Sequence, residues 1–344
     1  MSALASAVVE VADAFDANET YQKNGWTDGL PIVPPTAELV TRFLAAAKLD
    51  AAAVIGVEPV RRRSISAEKV AIASVMAGCL PEYFPVVVAT IKAMCQPEYA
   101  LHGSTASTGG SAPFIVVNGP IRQKIGMNAT HNVLGNGARA NATIGRAVRL
   151  VLLNVLGGVP GQLDRSTLGH PGKFTFCVAE DEEDMVWPAL SVERGIPKGT
   201  SAVTVMQVES PHQIMNEWTT DPREILDTYV AALRGNMLTY SIWEGNYAFV
   251  MPKQHREIFV AAGWGKKEIR EYVFEKARVK RSEWRTVGKA AVAGRKDEDK
   301  EYRALRTADD LLVVGAGGPA GGFGAIIPPW YGKKSLAVTM AIDA

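Results

Sequence analysis

Cysteine is scarce in this chain. Cys79, Cys95 and Cys177 are widely spaced and form no CxxC pair. An odd, scattered set argues against a disulfide scaffold and for a reducing compartment. Long apolar runs are missing as well: the stretch 149–159 is too short to span a bilayer and contains Asn154. Residues 1–15 have no basic start and no unbroken apolar centre, so no secretory leader is expected. Net charge is also lacking, with 37 Lys and Arg against 36 Asp and Glu. Duplex binding normally leaves a basic stripe, so neither nucleic acid nor a membrane is expected as a partner. These absences point to a soluble, cytoplasmic protein.

The chain does have apolar content. At 344 residues and 47% apolar composition it can bury a sizeable core, in one large or two modest domains. Leu4, Val8, Val11 and Phe15 recur at helical spacing and predict a short amphipathic helix within 1–15. Asp28-Gly29 then turns the chain, and Pro31, Pro34 and Pro35 force an extended path. Thr36 is placed to cap a helix over 37–48, and Ser66 one over 67–78 that ends at Gly78. A further helix from Pro81 should turn Val86, Val87, Ile91 and Met94 inward.

Short apolar strands are expected at 113–118, 174–178, 201–208, 247–251, 311–314 and 336–342. A helix is expected after Ser210-Pro211 and another after Pro252. Strands alternating with helices predict an α/β fold, a mixed sheet flanked by helices. The units starting near Pro113 and Tyr247 look alike and hint at two related lobes. The division expected is an arm over 1–60, a lobe over 61–200 and a second lobe over 201–344. Within the second lobe, 275–306 turns strongly charged, including Arg295-Lys296-Asp297-Glu298-Asp299-Lys300-Glu301, and reads as a solvated excursion or a lid.

Chemistry concentrates in the block 101–173. It holds three of the five histidines, His102, His131 and His170, each beside glycine or asparagine. His131 is the preferred catalytic residue, since imidazole titrates near neutral pH and Asn132, Asn136 and Arg139 stand close in sequence. His102, His170 and Lys173 are its expected assistants. No HxH or HExxH spacing is present, so a divalent metal on His102, His131 and His170 is an option only if the fold brings them together. Asn141 is the expected cap of a helix that starts near Thr143. With Arg139 it would make an anion site for a carboxylate or phosphate; the alternative is a plain capped helix with Arg146 and Arg149 on its wet face.

Other motifs narrow the reaction. The run Gly315-Ala316-Gly317-Gly318-Pro319-Ala320-Gly321-Gly322 is not followed by the helix, strand and acid of a dinucleotide fingerprint, so no nicotinamide or flavin is implied. Gly317 and Gly318 are read instead as a loop that approaches substrate or folds beneath another subunit. Ser107, Thr108 and Ser111 form a loop without a GxSxG elbow. Cys177 alternates as a buried strand residue, and Cys79 at a helix C-terminus lacks activation. Glu180 is the acid of 180–184 best placed to reach a site. Trp26 and Asp28 would plug a pocket or serve a turn. Arg61-Arg62-Arg63 reads as surface, a local ion pair or an anion contact.

The wording Thr27-Asp28-Gly29-Leu30-Pro31-Ile32-Val33-Pro34-Pro35-Thr36, with Met76-Ala77-Gly78-Cys79-Leu80-Pro81, His131-Asn132-Val133-Leu134-Gly135 and Leu168-Gly169-His170-Pro171-Gly172-Lys173, resembles bacterial proteins associated with the UGSC-type thiol or selenol family. The resemblance spans 25–193 and returns near Ala262-Gly263-Trp264. This chain has no Cys-Gly-Ser-Cys run, so the resemblance implies that a redox thiol would come from a partner.

Together these readings predict an enzyme that acts on a small, carboxylate-bearing molecule by His-based acid–base chemistry of lyase or hydrolase type. The alternatives are a subunit of a thiol-redox complex and a non-catalytic small-molecule binder. A homo-oligomer or hetero-complex is expected, through the N-terminal arm and the glycine-rich loop.

Overall fold

A computed structural model describes residues 3–294 and 297–343. The N-terminal part contains α1 (Ala14–Lys23), α2 (Ala37–Ala46), β1 (Val54–Val57), β2 (Ser64–Ser66), α3 (Ala67–Ala77), α4 (Phe84–Met94) and α5 (Leu101–Thr105). Next come β3 (Ala112–Asn118), α6 (Ile121–Lys124), α7 (Arg139–Asn154), β4 (Cys177–Ala179), α8 (Leu190–Glu193), β5 (Ala202–Val208) and β6 (His212–Met215). The remainder comprises α9 (Pro222–Tyr240), β7 (Tyr247–Met251), α10 (Lys253–Ala261), α11 (Lys266–Lys276), β8 (Arg278–Lys280), α12 (Ala290–Ala293), β9 (Glu301–Arg303), β10 (Leu311–Gly315), β11 (Phe323–Ile327) and β12 (Val338–Ala341).

Side-chain alternation turns these elements into four layers. In β3 and β5, Ile115, Val117, Val203 and Val205 join a core with α2, α3, α4 and α7, while Phe114, Val116, Met206 and Val208 face the other way. In β7 and β10, Phe249, Met251, Leu311 and Val313 join a core with α9, α10 and α11, while Ala248, Val250, Leu312 and Val314 face back. The two inward faces share the middle core. Period-two alternation with both faces apolar produces helix, sheet, sheet, helix. The predicted α/β class with mixed sheets stands, as two mixed sheets, each covered by helices on one face.

The two sheets repeat one plan. The first runs β4-β3-β5-β12 and the second β10-β7-β11-β6. In each, the first pair is parallel and the next two are antiparallel. Register aligns them residue by residue: Val116, Thr204 and Thr339 lie side by side in one sheet, and Val250, Ala325 and Gln213 in the other. Each edge strand is exchanged. β6 comes after β5 in the chain yet completes the second sheet, and β12 comes after β11 yet completes the first. The strands therefore do not divide at residue 200.

This alignment makes Val208 the counterpart of Pro329, and these two residues bridge one another. Flanking them, Glu209 N–H donates to Pro328 O at 2.9 Å and Trp330 N–H to Gln207 O at 3.0 Å, each bond the image of the other. A pseudo-twofold axis passes through the crossing. The likeness of the units near Pro113 and Tyr247 is thus visible as two central strands.

Several local expectations need correction. No helix spans the described part of 1–15: Asp13 accepts from Phe15 and Asp16 N–H and starts α1 there. Ala5 and Ser6 N–H instead bind the Glu68 carboxylate at 3.0 and 2.8 Å. Met1 and Ser2 lie outside the described residues. The strand expected at 174–178 narrows to β4, because the turn Pro171–Lys173 runs into Phe174. Ser210-Pro211 leads into strand β6, and the helix waits for Asp221 to cap it. The excursion 275–306 is a packed unit, with β8 on β9 and Trp284 buried between Trp243 and Tyr302. Arg295 and Lys296 lie outside the described residues. The caps Thr36 and Ser66 and the left-handed Gly78 are as expected.

Candidate functional site

The two connections that leave the parallel strands differ, and the difference opens a groove. After β4 the chain takes the long path 180–201, and α8 lies against both β5 and β10. Its Leu190 enters the middle core, and Arg194 donates from Nε to Thr339 Oγ1 at 2.5 Å and from NH2 to Ala337 O at 2.7 Å. After β10 the chain takes only the short glycine-rich path 316–322 to β11. At that end Val133 plugs the middle core, and beside it lies a groove of about 500 Å³. Val250, Ala316 and Ala325 line it from the second sheet, with Thr130, Asn132 and Leu134 on one side and Pro211, Gln213 and Phe323 on the other. None of its lining residues is charged.

The wall that carries His131 is built from asparagine. Asn141 accepts from Asn128 N–H at 2.9 Å and donates to Asn128 O at 2.8 Å. Asn128 Nδ2 in turn donates to His131 O at 2.8 Å, which fixes the turn. Asn132 sits at φ +56° and donates to Asn136 O at 2.9 Å. Gly317 N–H donates to Ala129 O at 2.9 Å, tying the glycine-rich loop to this wall. A side chain at Gly318 would lie 3.0 Å from His131 Cδ2, and Gly317 has φ +118° against Pro252. The left-handed φ requires glycine at Gly317, while a side chain at Gly318 would press on the His131 ring.

The sequence candidates therefore divide. Asn132, Gly317 and Gly318 line the groove, while His131 adjoins Gly318 and Asn136 accepts from Asn132. Asn141 supports them from beneath and is not the cap of α7, which starts after Ala138 without a side-chain cap. Its side chain is already engaged with Asn128. Arg139 is not an anion ligand in this arrangement: Nε and NH2 donate to Gly78 O at 3.0 and 2.9 Å, capping the negative end of α3. Arg146 and Arg149 are not on a wet face. Arg146 clasps both Asp28 oxygens at 2.8 Å and tethers the proline-rich arm, and Arg149 binds Asp164 at 2.8 Å.

His102 and His170 occupy other neighbourhoods. His102 Nδ1 lies 3.9 Å from Glu58 Oε1. Burial lifts the Glu58 carboxyl, but N–H bonds from Val60 and Arg61 outweigh it and hold the acid below its ordinary range. His170 Nδ1 accepts from Gly172 N–H at 3.2 Å, and burial lowers its pKa. Among the described residues no group of three or more His, Cys, Asp or Glu side chains is placed to hold a metal ion.

Lys173 belongs to a second polar cluster that sequence reasoning largely missed. Its Nζ donates to Asp164 Oδ2 and to Ser166 Oγ, each at 2.7 Å. Burial lowers the Lys173 pKa against the pull of Asp164. Burial acts to raise Asp164, yet Lys173, Ser166 and Arg149 together hold it far below a normal carboxylate. Nearby, burial raises Glu209, which accepts from Tyr240 Oη at 2.5 Å. Every charge in this set has a partner, so the cluster reads first as a clamp between the loop 164–173 and α7. No spacing in the sequence joins Asp164 to Glu209 or Tyr240.

The thiols are not activated. Burial pushes Cys79 up to about 12 and Cys95 up to about 11, and drives Cys177 higher still. Glu180 reaches no site either; it is fully buried, bonded to Asn118 Nδ2, Leu190 N–H and Lys266 Nζ. Among the described residues no helix is long and apolar enough to cross a membrane. Compared with known proteins, the chain matches no family model and no curated protein.

Proposed function

We propose that this protein is an enzyme acting on a small molecule bound in the groove between the sheets, with His131 at the rim as its proton-transferring group. The observation that carries the reading is the groove itself. Its size is that of a small-molecule site, its floor is apolar, and glycine backbone and amide side chains border it. His131 stands beside it on a turn anchored by Asn128 and Asn141, and a neutral imidazole can take and return a proton near pH 7. Proton transfer without a redox cofactor suits lyase or hydrolase chemistry.

The bound molecule carries no negative charge where it meets the groove. With Arg139 committed to Gly78 and no charged lining residue, a carboxylate would lose water and gain no charged partner. A non-catalytic binder is the second reading, favoured by one observation: no side chain among the described residues hydrogen-bonds the His131 ring to orient it. The kinship with thiol-redox proteins remains a proposal. High thiol pKa values are compatible with a partner supplying any reactive thiol.

The test is a small-molecule screen by thermal shift on the wild-type protein and on Ala325→Phe, which places a ring in the groove. Ligands that stabilise only the wild type by mass action support the site. Turnover of such a ligand, reduced about 10²–10⁴-fold in His131→Ala, supports the enzyme. Unchanged turnover would leave the binder, and equal stabilisation of both proteins would remove the groove.

A further inference from the structure

The closed end of the molecule shows what the open end is shaped to hold. Strand register makes Gln213 the counterpart of Thr339, since Gln213 lies opposite Ala325 as Thr339 lies opposite Thr204. One step further along the edge strands, Pro211 is the counterpart of Ala337. At the closed end, Ala337 O and Thr339 Oγ1 both accept from the Arg194 guanidinium. At the open end, Pro211 and Gln213 both line the groove. The loop 316–322 brings no such donor to them. Pro211 O receives only a 3.5 Å contact from Ser210 Oγ, and the Gln213 side chain makes no hydrogen bond among the described residues.

A pair of groups whose counterparts the chain satisfies for itself at one end, here the Pro211 carbonyl and the Gln213 carboxamide, which can both accept and donate, is thus presented to solvent at the other. A carbonyl oxygen attracts N–H donors and repels anions. Around the pair, Val250, Ala325 and Phe323 offer apolar surface.

We propose that the ligand of the groove carries a planar N–H donor group, of the amide or amidine kind, on a small apolar body. The donor lies against the Pro211 carbonyl and the Gln213 side chain, as the Arg194 guanidinium lies against Ala337 and Thr339. The apolar body covers Val250 and Ala325. This rests on the groove being the ligand site and adds the chemical class of what enters it.

Three probes with one ring and different head groups test it: benzamide, benzamidine and benzoate, titrated on the full chain and followed by backbone amide shifts. Benzamide or benzamidine should bind about tenfold tighter than benzoate, the size expected of one added hydrogen bond in a sheltered site. Whichever of the two binds tighter shows whether the head group is neutral or cationic. Gln213→Leu should bring the donor probes to about the benzoate level, and Gln213→Thr, which copies the closed end, should keep the preference. Benzoate binding as tightly as the other two, or a preference unchanged in Gln213→Leu, would overturn the proposal. If the shifts still fell at Val250 and Ala325, the groove would survive as the ligand site. No shift at those residues with any probe would remove both.

Discussion

The two ends of the middle core share one strand plan and differ in the connection that leaves the parallel strand. Behind β4, the connection 180–201 sends Leu190 and Arg194 between the sheets and ties Glu180 to Lys266 at 3.0 Å, both side chains buried. Behind β10, the glycine-rich path 316–322 leads straight into β11 and leaves space. In a scaffold with one strand plan repeated, the same end can be filled in one half and left open in the other. The length of a single loop decides which is which, and the exchanged edge strands hold the two halves together while that loop varies.

The largest effect should come from breaking the exchange's cooperativity. Ile115 and Phe249 are counterparts on the two central strands, and both are fully buried. Ile115→Ala should cost about 2–5 kcal/mol and Phe249→Ala about 3–5 kcal/mol. In denaturant melts each should lower one shared transition, because each four-stranded sheet contains a strand from the other half. Two separable transitions would show that the halves fold independently.

A middle-sized effect concerns the closed end. Arg194→Ala removes two hydrogen bonds, leaving Ala337 O without its Arg194 donor and Thr339 Oγ1 with only Thr204 Oγ1 at 2.9 Å, which should cost about 1–3 kcal/mol. The same variant should open a second cavity, visible as added density for small ligands near Thr339. A loss of stability without a new cavity would mean that the closed end collapses when its side chain is removed.

Acidification should separate the halves more gently. Burial lowers the pKa of both His170, on the first half, and His255, on the second. Each is therefore neutral in the fold at a pH where the unfolded chain has begun to bind a proton. That contribution is fully present above the unfolded value of about 6.5 and is lost as pH falls through the lower folded value. Tm should decline between about pH 7 and pH 5, and the decline should be shallower in His255→Gln, whose native ring contacts Tyr229 Oη and Asn216 O. The smallest stability effect belongs to His131→Ala, within about 0.5 kcal/mol, because the side chain is exposed and its ring makes no hydrogen bond among the described residues. A large loss there would mark His131 as structural.

Much of this organisation was legible in the sequence. Local rules placed the caps Thr36 and Ser66, the stop at Gly78, the central strands β3, β5 and β7 and the edge strand β10, because each depends on neighbours in the chain. The block around His131 and the run at Gly317-Gly318 were identified separately, and the fold joins them. What local patterns missed was long-range. Arg139 and Asn141 looked free in sequence, but each finds a backbone partner in another segment, Gly78 O and Asn128. The short edge strand β6 falls where the sequence predicts a helix after Ser210-Pro211, and its pairing with β11 is what makes it a strand. Gln213 carries no signal at all; only its register opposite Ala325 shows what it faces.

The most direct measurement is a crystal structure of the wild-type protein soaked with a mixture of small, uncharged, amide-bearing fragments. Density for a fragment between Val250, Ala325 and Gln213, with none beside Arg194, is the predicted result. Fragments gathered around Lys173, Asp164 and Glu209 with the groove empty would contradict the account.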